Sequence, residues 1–297
     1  MISSYIKNLV DTIPNRNNMD IMDIILDGGL FNGSYLAGAL LFIREMELRG
    51  SIKVRRLSGC SVGSIAAVLY HLDAVKLTEP IYKILLDTFK KTYRVDIFPK
   101  MFALMEPLLT DEVIHHMNKR IYITYYNVNT GKRLVKCKYT CKQDVFDTIK
   151  RSCFVPFLID GNIMYQKKYI DGMNPYIFPK KRHNEERKKV TTLYLDLFGY
   201  GKLFNMISVR NERTNFHRLL SGALDIHFYY LRGTSTSMCS CVEDWSPVEY
   251  LYYVYIRRLV ERILYYIVYF IYCLQKYQIS DLPITHLYIE FIKRYCL

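Results

Sequence analysis

No run of apolar residues in this 297-residue sequence is long enough to cross a bilayer. The longest uninterrupted one, Ile263 to Leu274, has 12 residues, whereas a spanning helix needs ~20. The N-terminus, MISSYIKNLVDTIPNRNN, lacks the apolar stretch of a secretory leader, which predicts an intracellular, cytoplasmic protein. None of the 8 cysteines sits in a C-x-x-C pair. Free thiols are therefore expected, and a zinc site built from Cys137, Cys141, Cys239 and Cys241 would have the wrong ligand spacings. Long low-complexity tracts and internal repeats are also missing, so extended disorder and solenoid folds are set aside. Acidic residues are in deficit, 28 against 41 Lys and Arg, giving a net charge of +13 that favours anionic partners. The basic run at 180–189 includes Glu185 and Glu186 and carries no aromatic residue, so no nucleic-acid partner is expected.

What the sequence does contain is a length and a hydrophobic fraction of 51% that suit a globular α/β protein able to bury its own core. Residues 1–20 read as a short helix and a loop around Pro14, and Ile21–Leu26 as a buried strand that runs straight into Asp27-Gly28-Gly29. A helix follows to Gly50, then a strand at Ile52–Leu57, a second glycine turn and the apolar helix IAAVLYHL. Strand, turn and helix twice in succession predict a parallel sheet covered by helices. Residues 75–120 are expected to be mainly helical. Two strands joined by Asn-Val-Asn-Thr-Gly come next, followed by a helix at QDVFDTIKRSC, two short strands ending at Asp171-Gly172, and a strand at 193–198. The division expected is 1–20 helix and loop, 21–204 catalytic domain and 205–297 helical region, the last packing on the core or on a membrane surface.

Chemistry concentrates in two turns and one carboxylate. Gly59-x-Ser61-x-Gly63 lies between a strand and a helix, the setting in which a strained serine is presented at a helix N-terminus, where free N–H groups favour developing negative charge. Taken alone, the same string could be a glycine turn whose serine caps a helix. The earlier turn, Asp27-Gly28-Gly29-Leu30-Phe31-Asn32-Gly33, would leave backbone N–H groups open to an oxyanion; a phosphate-cradling loop is the alternative. Asp171-Gly172 places a carboxylate in a turn after a short strand.

In this order the elements resemble the patatin-like phospholipase family over about 23–179. NVNTGKRLVK is similar to that family's strand pair before the base, and RSCFVPFLIDG with YIDGMNP is similar to its proline, Asp-Gly and Asn-x-Pro stretch. The resemblance implies a three-layer αβα sandwich with a central, mostly parallel sheet plus C-terminal helices. It also implies a lipid acyl hydrolase acting on phospholipid or another fatty acyl ester. Ser61 would be the nucleophile and Asp171 the base, Gly28 and Gly29 would form the oxyanion hole, and Gly33, Gly59, Gly63 and Gly172 would support the motifs. No cofactor and no metal are implied. Leu30 and Asn32 stand where the family has a third glycine and a basic residue, and Met173 replaces the second glycine of Asp-Gly-Gly. A leucine forced to positive φ would be strained by about 1 kcal/mol or more.

Two other readings stand beside this one. A Ser-His-acid triad would need His217, His227 or His286, none of which lies in a recognisable motif, and an inactive patatin-like fold would serve as a membrane- or partner-binding module. The stretch 248–277 divides similarly. One reading is a core helix covering the sheet with Arg257, Arg258, Glu261 and Arg262 as an outward charged stripe. The other is a tyrosine-rich amphipathic segment on an anionic membrane surface.

Overall fold

A computed structural model describes residues 2–14, 19–179, 190–199, 204–210, 212–276 and 284–296. The chain begins with helix α1 (Ile2–Asp11), then strand β1 (Asp20–Leu26), α2 (Gly33–Leu48), β2 (Ile52–Cys60) and α3 (Val62–His71). The expected helical stretch follows as α4 (Thr78–Thr92), α5 (Phe98–Met105) and α6 (Asp111–Met117). Next come β3 (Ile121–Asn127), β4 (Lys132–Lys136), α7 (Lys142–Ser152), β5 (Tyr169–Asp171) and β6 (Val190–Leu195). The last part comprises α8 (Phe216–Arg232), β7 (Cys239–Cys241), α9 (Pro247–Leu251), a π-helical turn at Tyr252–Ile256, α10 (Arg257–Lys276) and α11 (Ile284–Tyr295).

The 7-stranded sheet has the order β4-β3-β2-β1-β6-β7, with β5 joined to β3. β3, β2, β1 and β6 run parallel, while β4, β5 and β7 are antiparallel to their neighbours. Helices cover both faces, and β1 shows why its sequence is unbroken apolar rather than alternating. Ile24 and Leu26 enter the main core with α2, α3 and α4, whereas Ile25 points to the opposite face and packs with Tyr194, Val242 and Trp245. This is the three-layer α/β arrangement expected from the sequence.

Two details differ from the sequence reading. The region after 205 is not wholly helical, because Cys239–Cys241 pairs with β6 and extends the sheet. That strand lies at the edge opposite β4, so Cys239 and Cys241 are far from Cys137 and no four-cysteine cluster forms. Of the two strands expected before Asp171-Gly172, only β5 and a single bridge between Tyr165 and Tyr169 form. The charged loop at 180–189 lies outside the described residues.

Candidate active site

The sheet register brings Ser61 and Asp171 together although 110 positions separate them. On one edge of β3, Leu57–Cys60 of β2 pair with Ile121–Thr124. Tyr125–Asn127 then pair with Tyr169–Asp171 of β5, while β4 occupies the other edge of those same residues. β5 therefore continues the line that β2 leaves. Cys60 lies opposite Thr124 and Asp171 opposite Tyr125, so the residue after Cys60 meets the carboxylate. The Ser61 hydroxyl stands close enough to the Asp171 carboxylate to favour its charged form.

Ser61 forms the turn between β2 and α3 with φ 50° and ψ −131°, a left-handed backbone that costs a non-glycine residue on the order of 1–3 kcal/mol. The surroundings hold it there. Its N–H is shared between Ser152 O at 3.2 Å and Ser152 Oγ at 3.0 Å, and the Ser152 hydroxyl donates to Thr124 O at 2.7 Å. Ser64 Oγ donates to Ser61 O at 2.6 Å. The flanking glycines are required sterically: a Cβ on Gly59 would collide with the Gly63 backbone, and one on Gly63 would stand 2.5 Å from Leu26 O. Gly172 packs its Cα against the Thr124 carbonyl in the same way.

Asp171 is buried, and its Oδ1 accepts the Met173 N–H at 2.9 Å. Burial raises its pKa to about 7, against the opposing influence of the nearby Ser61 hydroxyl and the Met173 N–H. A carboxylate poised there is a competent general base near neutral pH.

The glycine loop lies over the serine. Gly28 approaches so closely that a Cβ there would sit 3.1 Å from Ser61 Cβ. Of the two expected oxyanion donors, the Gly28 N–H is engaged by Asp27 Oδ1 at 3.0 Å, whereas no described residue accepts the Gly29 N–H. Leu30 adopts φ 43°, so the leucine follows the path a glycine would take. Residues 30–32 form a 3₁₀ turn that runs into α2, which leaves the N–H groups at its start without intrahelical partners. Gly33 sits against Val62 of the elbow.

Several contributors were not legible beforehand. Asp27, fully buried, is clamped by Arg257 through two hydrogen bonds of 2.8 Å. Burial raises the Asp27 pKa to about 6 despite the guanidinium. Asn174 donates to Glu261 Oε2 at 2.8 Å and to Arg257 O at 3.2 Å. Arg218 of α8 donates to Asn32 Oδ1 at 2.7 Å, so a cation from another helix braces the position where the family carries its own. An arginine inside an apolar helix was the one available signal for Arg257.

Beside Ser61 an apolar cavity of about 90 Å³ opens between α3, α4 and α5. Ile65, Leu69, Ile81, Leu85, Phe98 and Met101 line it together with Leu30, and no charged side chain does. A model of the patatin-like phospholipase family matches residues 24–174. The chain belongs to that family. It is also 26% identical over 154 residues to a mouse (Mus musculus) protein, 1-acylglycerol-3-phosphate O-acyltransferase Pnpla3. That alignment covers 48% of this chain and 37% of the relative, so the chain matches little more than a third of it. The patatin-like match ends at 174, which places Arg218, Arg257 and Glu261 outside it. Phospholipases of this kind act on lipid acyl esters.

Two of the three histidines of the alternative triad, His217 and His227, have other partners. His227 interacts with Thr12 at 2.7 Å and packs edge-on against Phe42, and His217 faces Glu212 at 3.5 Å. The His286 side chain lies outside the described residues.

Proposed function

We propose that the protein is a lipid acyl hydrolase, of phospholipase A or esterase type, that works through a Ser61–Asp171 dyad. The placement of Ser61 against the buried Asp171 carboxylate, beside an uncharged cavity, carries this reading. Ser61 Oγ attacks the ester carbonyl as its proton passes to Asp171. The oxyanion takes N–H groups of the glycine loop, with Gly29 open and Gly28 held beside it by Asp27. Collapse expels the alcohol, which takes the proton from Asp171. Water then attacks the acyl-serine, Asp171 accepts its proton, and the fatty acid leaves as Ser61 recovers its hydrogen. The acyl chain lies in the cavity beside Leu30. A lipid substrate is met at an interface, and the net charge of +13 favours an anionic one.

The deciding experiment is a panel of p-nitrophenyl esters and phospholipids assayed with wild type, Ser61→Ala and Asp171→Asn. Both variants are expected to fall to background, because members of one dyad act as a unit. Either variant retaining more than about a tenth of the rate would point to another nucleophile or base. The mouse relative's name favours a second outcome, delivery of the acyl group to an alcohol in place of water. Supplying 1-acylglycerol 3-phosphate and separating diacyl product from free fatty acid distinguishes the two.

A further inference from the structure

The polarity of the helical run 247–276 is inverted. Its buried side consists of Val254, Arg257, Glu261 and Tyr265, so two of the four charges expected to face outward, Arg257 and Glu261, are turned into the protein, while Arg258 and Arg262 stay exposed. There they have partners, Asp27 and Tyr194 for Arg257 and Asn174 for Glu261. Tyr265 donates to Val128 O at 2.5 Å. The outward side is apolar. Leu259 is 59% exposed, Ile263 51%, Tyr266 65%, Ile267 49% and Phe270 62%. The spacing i, i+3, i+4, i+7 from Ile263 to Phe270 puts them in one stripe, and no described residue covers it. An exposed apolar stripe of this extent marks an interaction surface.

Charge identifies what covers it. Between 250 and 274 the only acid is Glu261, which is buried, and the exposed charges are Arg258 and Arg262. At about 100° per residue both arginines fall between the buried side and the apolar stripe, where guanidinium groups reach lipid head groups while the stripe enters the acyl boundary. A second copy docked on the same stripe would set cation against cation. Tyrosine rings also suit the half-wet interfacial zone. No described helix is long and apolar enough to cross a membrane, which fits a helix lying in the surface plane.

We propose that α10 is an interfacial docking element whose outward stripe seats on an anionic lipid surface, while its inward Arg257 and Glu261 fix it to the two catalytic loops at Asp27 and Asn174. This deepens the lipid-hydrolase reading and rests on it for the purpose of docking, but binding can be measured without turnover. Full-length Ser61→Ala protein is sedimented with vesicles of phosphatidylcholine mixed with phosphatidylglycerol, and with phosphatidylcholine alone, at rising salt. Binding is expected to prefer the anionic vesicles, to weaken with salt, and to drop about tenfold or more when Ile263, Tyr266, Ile267 and Phe270 are all changed to serine. The melting temperature of that variant shows whether it remains folded. Should it unfold, Arg258→Glu with Arg262→Glu is expected to abolish the anionic preference instead. Vesicle binding that is absent, or unchanged in folded variants, overturns the proposal. So does a dimer in sedimentation equilibrium that the serine variant dissociates without any vesicle binding, which would assign the stripe to a second copy.

Discussion

At the scale of single residues the site combines strain with desolvation. Asp171 holds its proton more tightly folded than unfolded, with a pKa of about 7 against an ordinary 3.8. A raised carboxyl pKa means that stability declines as pH rises from near 4 through about 7, at up to roughly 1.4 kcal/mol per pH unit. Asp171→Asn lacks this term. It is therefore expected to be inactive yet increasingly more stable than wild type over that interval, as measured by urea melts at several pH values. In the wild type kcat/KM should rise through about pH 7 as the base ionises. A flat profile there would separate Asp171 from catalysis. Leu30 gives a second test. Its φ of 43° already follows a glycine path, so Leu30→Gly should change ester turnover by less than about threefold, far below the hundredfold or more that a lost oxyanion donor costs. The identities of Ser61, Asp171 and the glycines were readable because elbow, loop and Asp-Gly turn are local patterns. The partner of the Gly28 N–H was not readable, because it depends on a rotamer of Asp27 fixed from far along the chain.

At the scale of elements, the decisive feature is that β5 takes over the edge of β3 where β2 ends. Sequence indicated a short strand before Asp171, but nothing local indicates which strand it pairs with. Only half of the charged stripe expected on 247–276 faces outward, for a related reason. Periodicity identifies Arg257, Arg258, Glu261 and Arg262 as one side of a helix with solvent its natural place, and Arg258 and Arg262 do face outward, but Arg257 and Glu261 do not. Buried partners at Asp27 and Asn174 reversed the choice, since a bidentate arginine–carboxylate pair can offset desolvation. Removing one partner leaves the other charge buried alone. Arg257→Ala should thus lose about 3–5 kcal/mol in denaturant titrations, and Arg257→Met with Asp27→Asn should recover most of the loss. A loss below about 1 kcal/mol for Arg257→Ala would mean that water reaches Asp27 freely.

For the whole molecule, the fold class followed from two successive strand-turn-helix units, and the sheet they nucleate, β3-β2-β1-β6, is its parallel centre. The strand that the sequence does not reveal is β7, whose 3 residues are too few for any periodicity. The same sheet brings the elbow, the glycine loop and Asp171 together beside one uncharged cavity. The proposed function depends on Ser61 being a nucleophile activated by Asp171. The most direct measurement is fluorophosphonate labelling followed by peptide mass spectrometry, with wild type and Asp171→Asn side by side. The expected result is a single adduct on the peptide containing Ser61, formed rapidly in wild type and barely in Asp171→Asn. An adduct on another residue, no adduct in wild type, or equal rates in the two proteins would contradict it.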